Sequence, residues 1–259
     1  MTGAVHVLEH KLLNYRRTFR GSIFSSFLSP VLFLAAMGIG LGTYVDRSGS
    51  AGLSLTQGVA YAAFLAPGLL AANAMQTATG ESTYPIMAAI VWVRQFPAML
   101  ATPITVRHIV LGQLAYVVFR LALVALIFVA VAALLGAAVS PAILLAVPAA
   151  ILTGLAFATP ISAYAAWLKS DSYFNLLFRF VITPMFLFSG TFFPIEQLPD
   201  LVEPIAYLTP LYHGVALTRG LALGSIDAAG IAIHAAFLVA VVVVGGILFD
   251  RALRRRLVS

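Results

Sequence analysis

Ionisable side chains are scarce in this 259-residue chain, so those that stand in or beside apolar runs are the first candidates for chemistry. An ionised group in hydrocarbon costs at least about 2.5 kcal/mol and needs a partner or an aqueous cavity. Arg120 and Arg179 are such groups. Glu81 stands just past an apolar run that ends near residue 79, where it can pair with Arg120. Arg179 has two readings: it snorkels to the headgroups, or it contacts an anionic substrate headgroup. Asn73, Gln76 and Thr77 follow a Pro67-Gly68 break and either line a cavity or hydrogen-bond neighbouring helices. Phe174, Phe178, Phe186, Phe188, Phe192 and Phe193 offer rings to lipid, to packing, or to an amphipathic ligand.

The remaining residue types exclude most enzyme chemistry. A phosphate loop ends in Gly-Lys-Ser/Thr because backbone amides cradle the phosphates and the lysine reaches the outer ones. The chain holds only Lys11, followed by Leu12, and Lys169, which Leu168 rather than glycine precedes. If ATP drives this protein, another chain binds it. The run Gly38-Ile39-Gly40-Leu41-Gly42 resembles a dinucleotide motif, but no strand precedes it and close helix packing is the expected use. His6 and His10 share one helix face at metal-ligand spacing. With no third ligand and no intervening glutamate, they read as a solvated interfacial face, and no metal is expected. No serine occupies a Gly-x-Ser-x-Gly elbow, and the absence of cysteine removes thiolate ligands, disulfides and cysteine nucleophiles.

The elements that position these residues follow from composition. Hydrophobic residues make up 61% of the chain and charged ones 9%, whereas soluble domains carry about 25% charged side chains. Apolar runs at 22–43, 57–79, 108–136, 141–166, 174–193 and 229–249 are each long enough to cross a core of about 30 Å. The expected fold is therefore an all-α integral membrane protein with six transmembrane helices, forming one domain over 1–259. The first run is too long for the apolar core of a cleavable signal, so it is expected to remain in the mature protein.

With alternating sides, Lys11, Arg16, Arg17, Arg20, Arg94, Arg107, Lys169, Arg251, Arg254, Arg255 and Arg256 fall on one side, and Arg47 and Arg219 on the other. The positive-inside rule then places both termini in the cytoplasm and Gly49 outside. The net charge of +6 gathers at the ends of apolar runs rather than in a stripe, so nucleic acid is not an expected partner. Segment 1–21 is basic and amphipathic and reads as an interfacial helix. Residues 81–107 read as a short cytoplasmic helix bounded by prolines. Residues 193–225, broken by Pro194, Pro199, Pro204 and Pro210, read as short amphipathic or re-entrant helices on the outer face between spans five and six.

Two stretches carry a resemblance. The first runs from Glu81-Ser-Thr-Tyr84 through Met99-Leu-Ala-Thr-Pro103 to Leu111-Gly112. The second is Thr183-Pro-Met-Phe-Leu-Phe-Ser-Gly-Thr-Phe-Phe-Pro194, followed by Gln197-Leu-Pro199 and Leu208-Thr-Pro-Leu211. Both resemble the ABC-2 type permeases of bacterial exporters. Within that group the wording is most similar to the nodulation protein J branch, associated with lipo-oligosaccharide export, and next to daunorubicin-type drug exporter permeases.

The resemblance implies a non-catalytic half-transporter in a bacterial inner membrane. It would pair with a second permease chain, as homodimer or heterodimer, and with a separate ATP-binding cassette subunit that binds ATP and Mg. By the same resemblance, an interfacial helix at about 9–20, with Arg16 and Arg17, and a coupling helix at about 91–101, with Trp92, Arg94, Phe96 and Met99, engage the ATPase. Asn73, Gln76, Arg179 and Phe186 are then candidates for the substrate pathway, and Phe193, Pro194, Tyr212 and His213 for an outer gate. Two other classes compete, a binding or structural membrane protein without transport, and a secondary transporter or membrane enzyme. Proton coupling calls for a carboxylate in mid-membrane, and none of the spans has one.

Overall fold

The computed structural model describes residues 2–47, 56, 59–138 and 140–258; Gly49 and Ser259 lie outside them. Among the described residues the chain is predominantly helical and contains no strand. Helix α1 spans Thr2–Leu34 and continues through a π-helical turn, Ala35–Leu41, into a last turn at Gly42–Arg47. The segment expected to be interfacial and the run 22–43 thus form, from Thr2 on, one continuous helix. No proline stands before Pro30, and Gly21 costs only about 1 kcal/mol in a helix interior. The glycine run 38–42 falls on and just after the π turn.

Helix α2, Tyr61–Ser82, holds Pro67 and is buried along most of its length, which places it at the centre of the bundle. It begins later and ends later than the run 57–79. Beyond it, Tyr84–Met87 and a π-helical turn at Ala88–Trp92 lead to helix α3, Gln95–Leu100. The expected cytoplasmic helix is therefore shorter than 91–101, and Trp92 and Arg94 precede it. Arg94 adopts φ 54°, the left-handed region that reverses the chain ahead of α3.

Helices α4 (Val106–Leu134), α5 (Pro141–Trp167) and α9 (Ala228–Leu257) are long and apolar enough to cross a membrane, by length and composition. Between α5 and α9 lie α6 (Ser172–Phe188), α7 (Glu203–Tyr207) and α8 (Pro210–Leu223). Helix starts are set by side chains that satisfy orphan amides. Thr105 and His108 form a reciprocal capping box at α4. Thr209 accepts from the Tyr212 amide at α8, and Asp227 accepts from the Gly230 amide at α9. His108 thus has a structural use in the cap.

α5 packs against α2 and α9, and α1 lies along α4. Glycine permits both close approaches. A Cβ on Gly245 of α9 would lie 2.5 Å from Thr159 Oγ1, and one on Gly112 of α4 would lie 2.6 Å from Val7. A central core gathers Leu65, Leu70, Met75, Leu121, Phe128, Phe157 and Leu211. A second core closes one end of the bundle with Val7, Ile86, Phe96, Ile109, Phe174, Phe249 and Leu253. On the outside, α4 exposes Leu126, and α9 exposes Val243, Val244, Ile247 and Leu248. Such an apolar exterior suits lipid rather than water.

Candidate functional site

The end of the bundle closed by the second core holds the charged cluster. Glu81 lies in the last turn of α2 and Arg120 in the middle of α4, and the structure joins them: Arg120 Nε donates to Glu81 Oε1 at 2.8 Å. Only 5% of the Arg120 side chain and 19% of the Glu81 side chain are exposed. The guanidinium also lies 4.7 Å from the centroid of the Tyr15 ring of α1, and Gln113 Nε2 donates to the Glu81 carbonyl. Three helices therefore meet at one ion pair. Lys11, one turn before Tyr15, extends to the rings of Phe96 (5.8 Å) and Tyr116 (5.4 Å). Burial pushes the Lys11 ammonium down to about 8, against the upward pull of Glu81.

The same end presents a basic and aromatic surface. Arg16, Arg17 and Arg94 are exposed, Trp92 is 55% and Val93 71% exposed, and Met99 is half-buried. Phe96 departs from the expectation. Its ring is fully buried in the second core, against this chain's own helices, so it supports the surface from beneath and offers no face to a partner.

At the opposite end, a groove of about 600 Å³ is lined by Phe33, Tyr61, Phe186, Phe192, Phe193 and Pro194, among others. Phe33, Phe186 and Phe192 pack with centroids 5.1–6.1 Å apart, and Tyr61 Oη donates to the Phe192 carbonyl at 3.3 Å. A concave apolar site of this size with few polar groups suits an amphipathic molecule. Phe186, Phe193 and Pro194 are thereby brought together.

Asn73, Gln76 and Arg179 are not among the residues that line the groove. Asn73 is half-buried, Gln76 is exposed, and Arg179 is exposed with its guanidinium 5.9 Å from the Phe180 ring.

Pro194 also borders a second, more polar cavity of about 230 Å³, with Ser189, Glu196, Tyr212, Arg219 and His234 in its wall. His213 lies beside it, stacked on Phe237 at 3.9 Å. His213 Nε2 lies 3.1 Å from the Tyr207 carbonyl, which can only accept. A neutral His213 therefore accepts at Nδ1 from His234 Nδ1, 2.8 Å away. Sequence reasoning missed Phe33, Tyr61, Lys11 and His234. It also placed Arg219 among outer loop cations, whereas the residue is 8% exposed. The signal for Arg219 was the one applied to Arg120, an arginine within an apolar segment. Among the described residues, no group of three or more histidine, aspartate or glutamate side chains converges as a metal site would need.

Comparison with known proteins bears on what this two-ended arrangement does. The family profile for ABC-2 type transporters matches residues 6–223, from the first turns of α1 to the end of α8. The chain belongs to this family. Membrane subunits of the family generally carry no catalytic site. The chain is 35% identical over 251 residues to nodulation protein J of Rhizobium leguminosarum bv. viciae, covering 97% of this chain and 93% of the relative. It is 34% identical over 253 residues to nodulation protein J of Rhizobium meliloti (strain 1021), covering 98% and 93%. Nodulation protein J of Neorhizobium galegae is 32% identical over 253 residues, with the same coverage. The region matched by the family profile takes in the charged cluster, the basic surface and the aromatic groove, while His234 and Phe237 lie beyond it.

Proposed function

We propose that this chain is the permease subunit of an ATP-driven exporter that moves an amphipathic cargo, a drug, glycolipid or lipo-oligosaccharide, out of the bacterial cytoplasm or inner leaflet. The observation that carries the reading is the pairing of opposite ends on shared helices. α1 and α2 frame the aromatic groove at one end and the Glu81–Arg120 cluster beside the basic surface at the other. A rigid-body shift imposed on α1 and on the segment 84–100 can reach the groove through those helices, because packed bundles have discrete arrangements rather than continuous give.

In this proposal the six apolar runs are spans in the bacterial inner membrane, with both termini cytoplasmic. The segment 194–220 is re-entrant at the outer face. A separate ATP-binding cassette subunit, carrying ATP and Mg, seats on Trp92, Val93, Arg94, Arg16 and Arg17. A second permease chain completes the pathway. The resemblance of its sequence motifs to the branch associated with lipo-oligosaccharide export supports a lipo-oligosaccharide as one form of the cargo.

Two measurements test this. Leu201 is 85% exposed in the segment assigned to the outer face. Leu201→Cys in the cysteine-free chain is expected to react with an impermeant thiol reagent in intact cells, while Ser259→Cys reacts only after permeabilisation. The reverse pattern inverts the topology. Co-expression with the ATP-binding cassette subunits of the same genome is expected to yield a co-purifying complex with one of them, and failure of every such subunit to bind counts against the assignment.

A further inference from the structure

Arg219 sits on α8 with 8% of its surface exposed. A guanidinium there needs compensation, and it finds it on backbone and an aromatic face rather than on a carboxylate. Nε donates to the Phe64 carbonyl at 3.1 Å and Nη2 to the Thr191 carbonyl at 3.0 Å, and the guanidinium carbon stands 3.8 Å from the centroid of the Phe64 ring. The preceding residue packs at the same place, its Thr218 Oγ1 2.9 Å from the Pro67 carbonyl and equally 2.9 Å from the Gly214 carbonyl of its own helix, between which its one hydrogen is shared. One side chain thus holds two segments far apart in sequence, residue 64 of α2 and residue 191 of the turn after α6.

Both segments are places where the backbone can bend. Pro67 has no amide, so the ladder of α2 lacks a bond there and its interior is weakened. Gly68 completes the site. A Cβ at Gly68 would lie 2.7 Å from Arg219 Nη2 and 2.8 Å from the Thr191 carbonyl oxygen, so the turn can rest on α2 only because this position is glycine. The same turn supplies Phe192, Phe193 and Pro194 to the wall of the aromatic groove.

We infer that Arg219 is a positioning residue of the outer end. Its guanidinium pins the 189–194 turn to the Pro67–Gly68 break, so that the groove's aromatic wall moves only together with α2. The role rests on the permease reading above and involves no contact with cargo. Lysine retains the charge but presents a single point donor in place of the planar fork that spans the two carbonyls.

The test uses the full transporter with its partner ATPase and Ser189→Cys as reporter, a residue 1% exposed beside Thr191. In the R219K background this cysteine is expected to react with an impermeant thiol reagent about tenfold faster per assembled molecule, the population shift that follows loss of one charge-assisted hydrogen bond. Export per molecule is expected to fall by a similar factor while ATP hydrolysis on the partner persists. Gly68→Ala, which pushes the turn away with Arg219 intact, is expected to do the same, and it serves as the test if R219K does not assemble.

A role confined to folding would lower the amount of assembled protein and leave labelling and export per molecule at the parental level, and that result overturns the inference. Absence of ATP-dependent export in the unsubstituted, cysteine-free parent would instead count against the permease reading. The labelling ratio between the reporter and its R219K variant would still report on Arg219.

Discussion

Replacing Glu81 with glutamine is expected to destabilise the chain by about 3–5 kcal/mol, because it removes the carboxylate from a guanidinium that stays almost fully buried. Arg120→Gln alone is expected to cost less, since Glu81 retains some access to solvent at 19% side-chain exposure. The two replaced together leave two neutral groups able to face one another. The double mutant is therefore expected to be markedly more stable than the sum of the singles predicts, with a coupling of about 1–3 kcal/mol. Unfolding in mixed detergent micelles, followed for parent, both singles and the double, measures this cycle. Additive losses would mean that the 2.8 Å contact contributes nothing of its own.

The second large effect separates two neighbouring aromatics. Phe96→Ala empties a fully buried site in the second core and is expected to cost about 3–5 kcal/mol of stability. Trp92→Ala removes a ring that is 55% exposed and is expected to change stability by no more than about 0.5 kcal/mol. In the complex the ranking reverses. An exposed tryptophan flanked by Val93 and Arg94 has the composition of a binding anchor, and its loss is expected to weaken ATPase docking by at least about 2 kcal/mol, roughly 30-fold in affinity. Thermal unfolding of the chain alone and a binding titration with the ATPase distinguish the two. Normal docking by Trp92→Ala with loss of docking by a stable Phe96→Ala would return the anchor role to Phe96.

The contrast at Phe96 shows how far the residues alone carry. The apolar runs behind α4, α5 and α9 were legible because a helix long and apolar enough to cross a membrane shows itself by length and a lack of charge. The helices α4, α5 and α9 begin and end within a few residues of the runs, except that α9 continues to Leu257 through a last segment in which Asp250 and Arg254 pair at 2.7 Å. The partner of Arg120 was legible too, because few carboxylates exist and Glu81 lies at the matching depth.

The face of Phe96 was not legible. A six-residue helix has too few turns to show a period, and its orientation is set by a π turn and by the left-handed Arg94, neither of which has a reliable sequence signature. The continuity of α1 was hidden by Arg16, Arg17 and Arg20, whose charges mark a boundary in polarity but not a break in the hydrogen-bond ladder. Arg219 was hidden because the carbonyls that compensate it belong to residues 64 and 191, and nothing in its own segment announces them.

The most direct test of the whole account is transport itself. The chain, purified with its partner ATPase and reconstituted into vesicles with the nucleotide site facing outward, is expected to accumulate a fluorescent amphipathic cargo in the lumen when ATP and Mg are supplied, and not when ATP is replaced by a non-hydrolysable analogue. Accumulation driven by an imposed proton gradient without nucleotide, or none with ATP in a complex that hydrolyses it, would contradict the assignment as an ATP-driven exporter.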